Sequence, residues 1–139
     1  MKYINYEDTY VLRLEKNEEV VESIKKLCKE EKILLAEITG LGAANLVEIG
    51  LFNVNTKEYR TEVIEGMFEI TSLIGNATTK EKETYLHLHI NFSDASNQVK
   101  GGHLVRANIS ATGEIFIRKI AGEVGRRFDE EIGLNLLNI

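Results

Sequence analysis

Three histidines, His87, His89 and His103, are all that the chain contains, and they fall within a span of seventeen residues. Two stand in His87-Leu88-His89-Ile90-Asn91-Phe92. After thirteen intervening residues the third stands in Gly101-Gly102-His103-Leu104. Neutral imidazoles are the commonest metal donors. Three of them with an open fourth position make a catalytic-type zinc site, which lowers the pKa of bound water toward about 7. Side chains two apart on a strand share a face about 7 Å apart at the backbone, so His87 and His89 point together if this segment is a strand. Leu88 and Ile90 would then face the core. Gly101 and Gly102 would allow a close approach, or a positive φ, just before His103. An antiparallel neighbour could thus bring His103 beside the pair. HxH also arises by chance on exposed strands. From the residues alone, a metal site and three solvated histidines stand level.

Glu114 and Asp94 are the carboxylates that could add a fourth ligand or a base, although acids of this kind are more often simply solvated. Ser93, Ser96 and Ser110 have no nucleophile context. Gly40-x-Gly42 lacks the third glycine and the helix of a dinucleotide loop and reads as a turn. The one basic cluster, Arg118, Lys119, Arg126 and Arg127, lies among Glu123, Asp129, Glu130 and Glu131, which favours ion pairing over phosphate binding.

The elements that would position the histidines follow from periodicity. Tyr10–Glu15 alternates and reads as a half-buried strand. Asn17 before Glu18 and Glu19 reads as an N-cap, opening a helix over about residues 18–31 with Val20, Val21, Ile24, Leu27 and Cys28 on its apolar stripe. Cys28 on that stripe is core rather than reactive. Strands are expected at Ile33–Ile38, Leu46–Val54, Lys57–Glu65, Met67–Ala77, Tyr85–Phe92, His103–Ile109 and Thr112–Ile120. Turns or loops are expected at Gly40–Asn45, Asn53–Lys57, Thr78–Glu83 and Ser93–Lys100. The tail, Gly122–Ile139, is expected to pack back as an irregular arm or short strand. The sum is one α+β domain over residues 1–139, dominated by antiparallel sheet.

The totals narrow the function. The chain has 139 residues and is 43% hydrophobic and 28% charged, the profile of a single globular domain. No apolar run approaches the roughly 18 residues of a membrane span. The polar, acidic start does not read as a signal peptide, and the single cysteine forms no intrachain disulfide, so a cytoplasmic location is expected. A net charge of −5 argues against phosphate neutralisation and so against nucleic acid. There is no proline, which excludes any DNA-binding motif that needs one.

Phe68-Glu69-Ile70-Thr71-Ser72-Leu73-Ile74-Gly75-Asn76, then His87-Leu88-His89, Gly101-Gly102-His103-Leu104 and Ala111-Thr112-Gly113-Glu114-Ile115, form an ordered set that resembles the PPC domain of plants and prokaryotes. Gly40-Leu41-Gly42-Ala43 and the tail Arg127-Phe128-Asp129-Glu130-Glu131 fit the same pattern. The resemblance implies an antiparallel sheet flanked by helices, a homotrimer, and a divalent metal, zinc, on His87, His89 and His103. In plants the domain sits beside an AT-hook with an Arg-Gly-Arg-Pro core, which this sequence lacks, so the family's DNA-binding label arrives without its DNA-contacting part. Three readings follow: a stand-alone zinc-binding trimer with a small-molecule ligand near the metal, a metal-dependent hydrolase or lyase, and a DNA-associated regulator.

Overall fold

The structure is a computed structural model covering residues 1–139. Its elements run β1 (Lys2–Tyr6), β2 (Thr9–Glu15), α1 (Val20–Glu30), β3 (Ala36–Asn53), β4 (Glu58–Lys80), β5 (Glu83–Ser93), β6 (Val99–Lys119), β7 (Arg126–Asp129) and β8 (Leu134–Leu137). The first six strands make one antiparallel sheet in the order β1-β2-β6-β3-β4-β5. The start of β6 also pairs with β5, so β6, β3, β4 and β5 close into a ring. β7 and β8 form a separate hairpin. A single helix accompanies the sheet, which corrects the expectation of flanking helices. No helix is long and apolar enough to cross a membrane.

The core lies on the inner face, where α1 packs. Val20, Val21, Ile24, Leu27 and Cys28 of the helix join Leu12, Leu14, Ile38, Leu88, Ile90, Ile115 and Ile117 in one buried cluster. Each fully buried branched side chain contributes about 1.5–3 kcal/mol by leaving water, which is why the strands cannot slip by one residue. Burial pushes the Cys28 thiol up to about 12, so it stays protonated and inert.

One expected turn and two gaps left between expected strands are not breaks. Gly40–Asn45, expected as a turn, lies inside β3 as a bulged stretch. A Cβ on Gly42 would stand 2.5 Å from the Thr112 carbonyl oxygen, so the missing side chain permits strand contact rather than reversal. Gly66 likewise sits within β4, and residues 110–111 within β6. The true reversals are tighter. Asn53 Oδ1 accepts from the Asn55 and Thr56 amides. Glu81 and Lys82 both take positive φ between β4 and β5, as a two-residue hairpin turn requires. The helix begins later than Asn17 implies. Glu19 is the N-cap, and its carboxylate accepts from the Val21 and Glu22 amides. The tail folds as the β7–β8 hairpin, docked on β4 through a Thr79–Gly125 bridge.

Candidate metal centre

Alternation along β5 turns Leu88, Ile90 and Phe92 inward and His87, His89 and Asn91 outward. On β6, Leu104 is buried and His103 faces out. Ring closure decides the rest. His89 and His103 are direct partners across β5 and β6. Gly101 and Gly102 help by close approach and not by positive φ, which neither adopts. A Cβ on Gly101 would lie 2.1 Å from Asn91 Oδ1 and 2.7 Å from the Ile90 carbonyl oxygen.

The three imidazoles converge. Ring centroids are 5.1 Å apart for His87–His89, 5.2 Å for His87–His103 and 5.7 Å for His89–His103. One nitrogen from each lies within 4.8 Å of the others. Zinc–nitrogen bonds of about 2.0–2.1 Å in a tetrahedron need nitrogens about 3.3 Å apart. Small imidazole rotations close that gap, so the donor set fits the ion. Protonation is also favourable. Burial first, then the neighbouring His87 and His89, push His103 down to about 4. Burial, His89 and Arg126 hold His87 below its ordinary value. Metal ligation requires neutral imidazole.

Neither expected carboxylate joins the group. Glu114 pairs across the sheet with Arg13 and Leu41. From its neighbour Phe116, the chain of cross-strand partners Thr39, Ile74 and His89 spans three strand spacings, about 14 Å. Asp94 caps its own loop, accepting from the Ser96 amide and hydroxyl and the Gln98 amide, and lines an open cleft of about 420 Å³ with Met67 and Phe68.

Other residues surround the histidines instead. The Tyr59 ring meets His103 edge-on at 6.0 Å, and its hydroxyl occupies the space a Cβ on Gly50 would need. Burial, then Glu48 and Tyr85, raise the Tyr59 pKa. Glu48 is held by Arg106 at 2.8 Å. Arg126 stacks on Tyr85 at 4.7 Å and donates to Thr78 Oγ1, Asn76 Oδ1 and the Asn135 carbonyl. Asn76 is the direct partner of His87, and Thr78 that of Tyr85. The ion pairing expected of the basic cluster with Glu123, Asp129, Glu130 and Glu131 does not form, and Arg118 meets Glu37 instead. Arg126 meets no carboxylate, because Glu123 accepts from Thr79 and Asp129 caps Ile132. Composition near Arg126 suggested acids, and only the hairpin's docking reveals its neutral partners.

A family model for the Plants and Prokaryotes Conserved (PCC) domain matches residues 1–121. The chain belongs to this family. Three solved structures share the PCC fold over 99% of this chain. A provisionally named DNA-binding protein of Bacteroides thetaiotaomicron is 28% identical with a TM-score of 0.96 and is covered over 96% of its length. A metal-containing protein of Archaeoglobus fulgidus is 32% identical, TM-score 0.88, covered over 99%. A plant- and prokaryote-conserved protein of Pyrococcus horikoshii is 30% identical, TM-score 0.86, covered over 94%. Among curated proteins nothing matches.

Proposed function

We propose that this PCC-domain protein is a homotrimer that binds one divalent metal per chain, zinc by preference, through His87, His89 and His103. The convergence of three imidazole nitrogens carries the reading. The description of the Archaeoglobus relative as metal-containing supports it. An all-nitrogen set suits zinc better than magnesium or calcium, which take oxygen donors. With three protein ligands the ion keeps a position for water or a small molecule, and lowering that water's pKa is the chemistry it would supply. Trimer formation is supported by outward-facing apolar residues, among them Ile4, Ile74, Phe116 and Leu51.

The test is metal content of untagged protein by mass spectrometry, for wild type and His89→Ala. Close to one zinc per wild-type chain and a large loss in the variant are expected. Equal content in both refutes the centre. Light scattering checks assembly, with about 47 kDa expected for three chains of 15.7 kDa.

A second reading, association with DNA, rests on the description of the Bacteroides relative. Against it, Arg106 and Arg118 are paired with Glu48 and Glu37 rather than free for phosphates. A mobility shift with duplex DNA at low salt, steeply lost on adding salt, is the result that would favour it.

A further inference from the structure

Arg126 is the one arginine of the chain that is not exposed. Arg13, Arg106 and Arg118 each meet a carboxylate, whereas Arg126 meets none within 4.0 Å. Its partners are a hydroxyl, an amide oxygen and a backbone carbonyl, all neutral, at 2.9–3.0 Å, with the Tyr85 ring beneath. A partly desolvated cation without a counter-charge is costly, and such groups are retained where an anion completes them. Of the five N–H donors of a guanidinium, three are used, leaving two, the number that a carboxylate takes in a bidentate pair.

The placement says where that anion would sit. Asn76 bonds the guanidinium at 2.9 Å and directly opposes His87 across β4 and β5. Tyr85, under the guanidinium, is two residues before His87 on the same outward face. On the far side the Tyr59 ring meets His103 edge-on, with its hydroxyl over Gly50. The chain thus arranges, in order, a fixed cation, three imidazoles and a phenol around one patch.

We propose that this patch is the binding site of a small carboxylic acid, whose carboxylate is clamped by Arg126 while another oxygen reaches the position held by the histidines. The proposal rests on the metal reading for its second contact and not for its first. A single guanidinium with two free donors matches a carboxylate better than a phosphate, which draws on several cations or a helix N-terminus. Arg126 is the binding residue, and Asn76 and Thr78 position it.

The test uses the full chain, metal-free and zinc-loaded, titrated with malonate and with neutral malonamide while the Arg126 Nε–Hε resonance is followed by NMR. Malonate should move that resonance and malonamide should not. Arg126→Gln should weaken malonate about tenfold or more, and zinc should tighten it. Since Arg126 also ties the β7–β8 hairpin to β4, Arg126→Lys serves as the milder variant, with circular dichroism reporting its fold. It should keep weak malonate binding. An unmoved resonance, or equal malonate affinity in Arg126→Gln and folded wild type, overturns the proposal. Inorganic phosphate binding tighter than malonate overturns the carboxylate assignment. Zinc content separates the two readings. Arg126-dependent malonate binding by a chain that takes no zinc sinks the metal centre alone. A zinc-loaded chain that binds malonate without Arg126 sinks this subsite alone.

Discussion

Gly75→Ala tests whether the fit of β4 on β5 is what holds His87 in place. Gly75 is the partner of Leu88. A Cβ there would stand 2.0 Å from the His87 carbonyl oxygen and 2.9 Å from the Leu88 Cα, both backbone atoms that cannot swing aside. Ordinary contact begins near 3.4 Å, so the strands must part by up to about 1.4 Å at the residue that carries one of the three imidazoles. Overpacking of this kind costs about 1–3 kcal/mol. For a domain of this size that lowers Tm by roughly 4–12 °C. Displacing one ligand of three should also weaken zinc about tenfold, the lower end of what misaligned metal sites lose. Differential scanning calorimetry and competitive zinc titration read both effects. Gly125→Ala, where an added Cβ meets nothing within 4 Å, is the control. If Gly75→Ala melts with wild type and binds zinc equally, the close approach does not organise the site.

Three further outcomes are expected. In the metal-free protein, His103 and His87 titrate below their ordinary value in the folded state, so the unfolded chain binds protons that the folded chain refuses. Stability is therefore complete above about pH 6.5 and falls as pH drops from there toward 4. A urea midpoint at pH 5 equal to that at pH 7 would contradict this. Glu19→Ala removes the acceptor for the Val21, Glu22 and Ala107 amides, so it should cost about 1–2 kcal/mol in chemical denaturation; a loss below about 0.5 kcal/mol would mean that water replaces it. Ile74→Glu, at a side chain 54% exposed, should leave the monomer folded yet lower the mass seen by light scattering. An unchanged trimer mass would place the interface elsewhere.

What could be read from the sequence was what depends on near neighbours. Alternation along β5 places His87 and His89 on one face, and apolar spacing locates α1. The single cysteine reads as core because it lies on that stripe. Long-range pairing was not legible. Glu114 stood as a candidate fourth ligand or base for the histidines. β6 pairs through opposite ends with β5 and with β2, and that separates them. Glycines at Gly40, Gly42 and Gly66 read as punctuation, since a turn and a bulge use the same residue for different reasons. Arg126 read as one of several ion-paired arginines. Its partners lie on β4 and β8, fifty residues back and nine ahead.

The same geometry explains why the chemistry sits outside the ring. The inner face is committed to α1 and the aliphatic core, where an imidazole or guanidinium would be stranded without water or partners. On the outer face, cross-strand partners run from Ile4 through Val11, Phe116, Thr39 and Ile74 to His89, and ring closure adds His103. One end of that row is apolar and the other is imidazole. A second chain packed on the apolar end would exclude water beside His89 without touching the ligand atoms. Desolvation there favours neutral imidazole and strengthens any charge interaction at Arg126. Assembly and ligand binding would then act on one face of one sheet and reinforce each other, which a site on the inner face could not do.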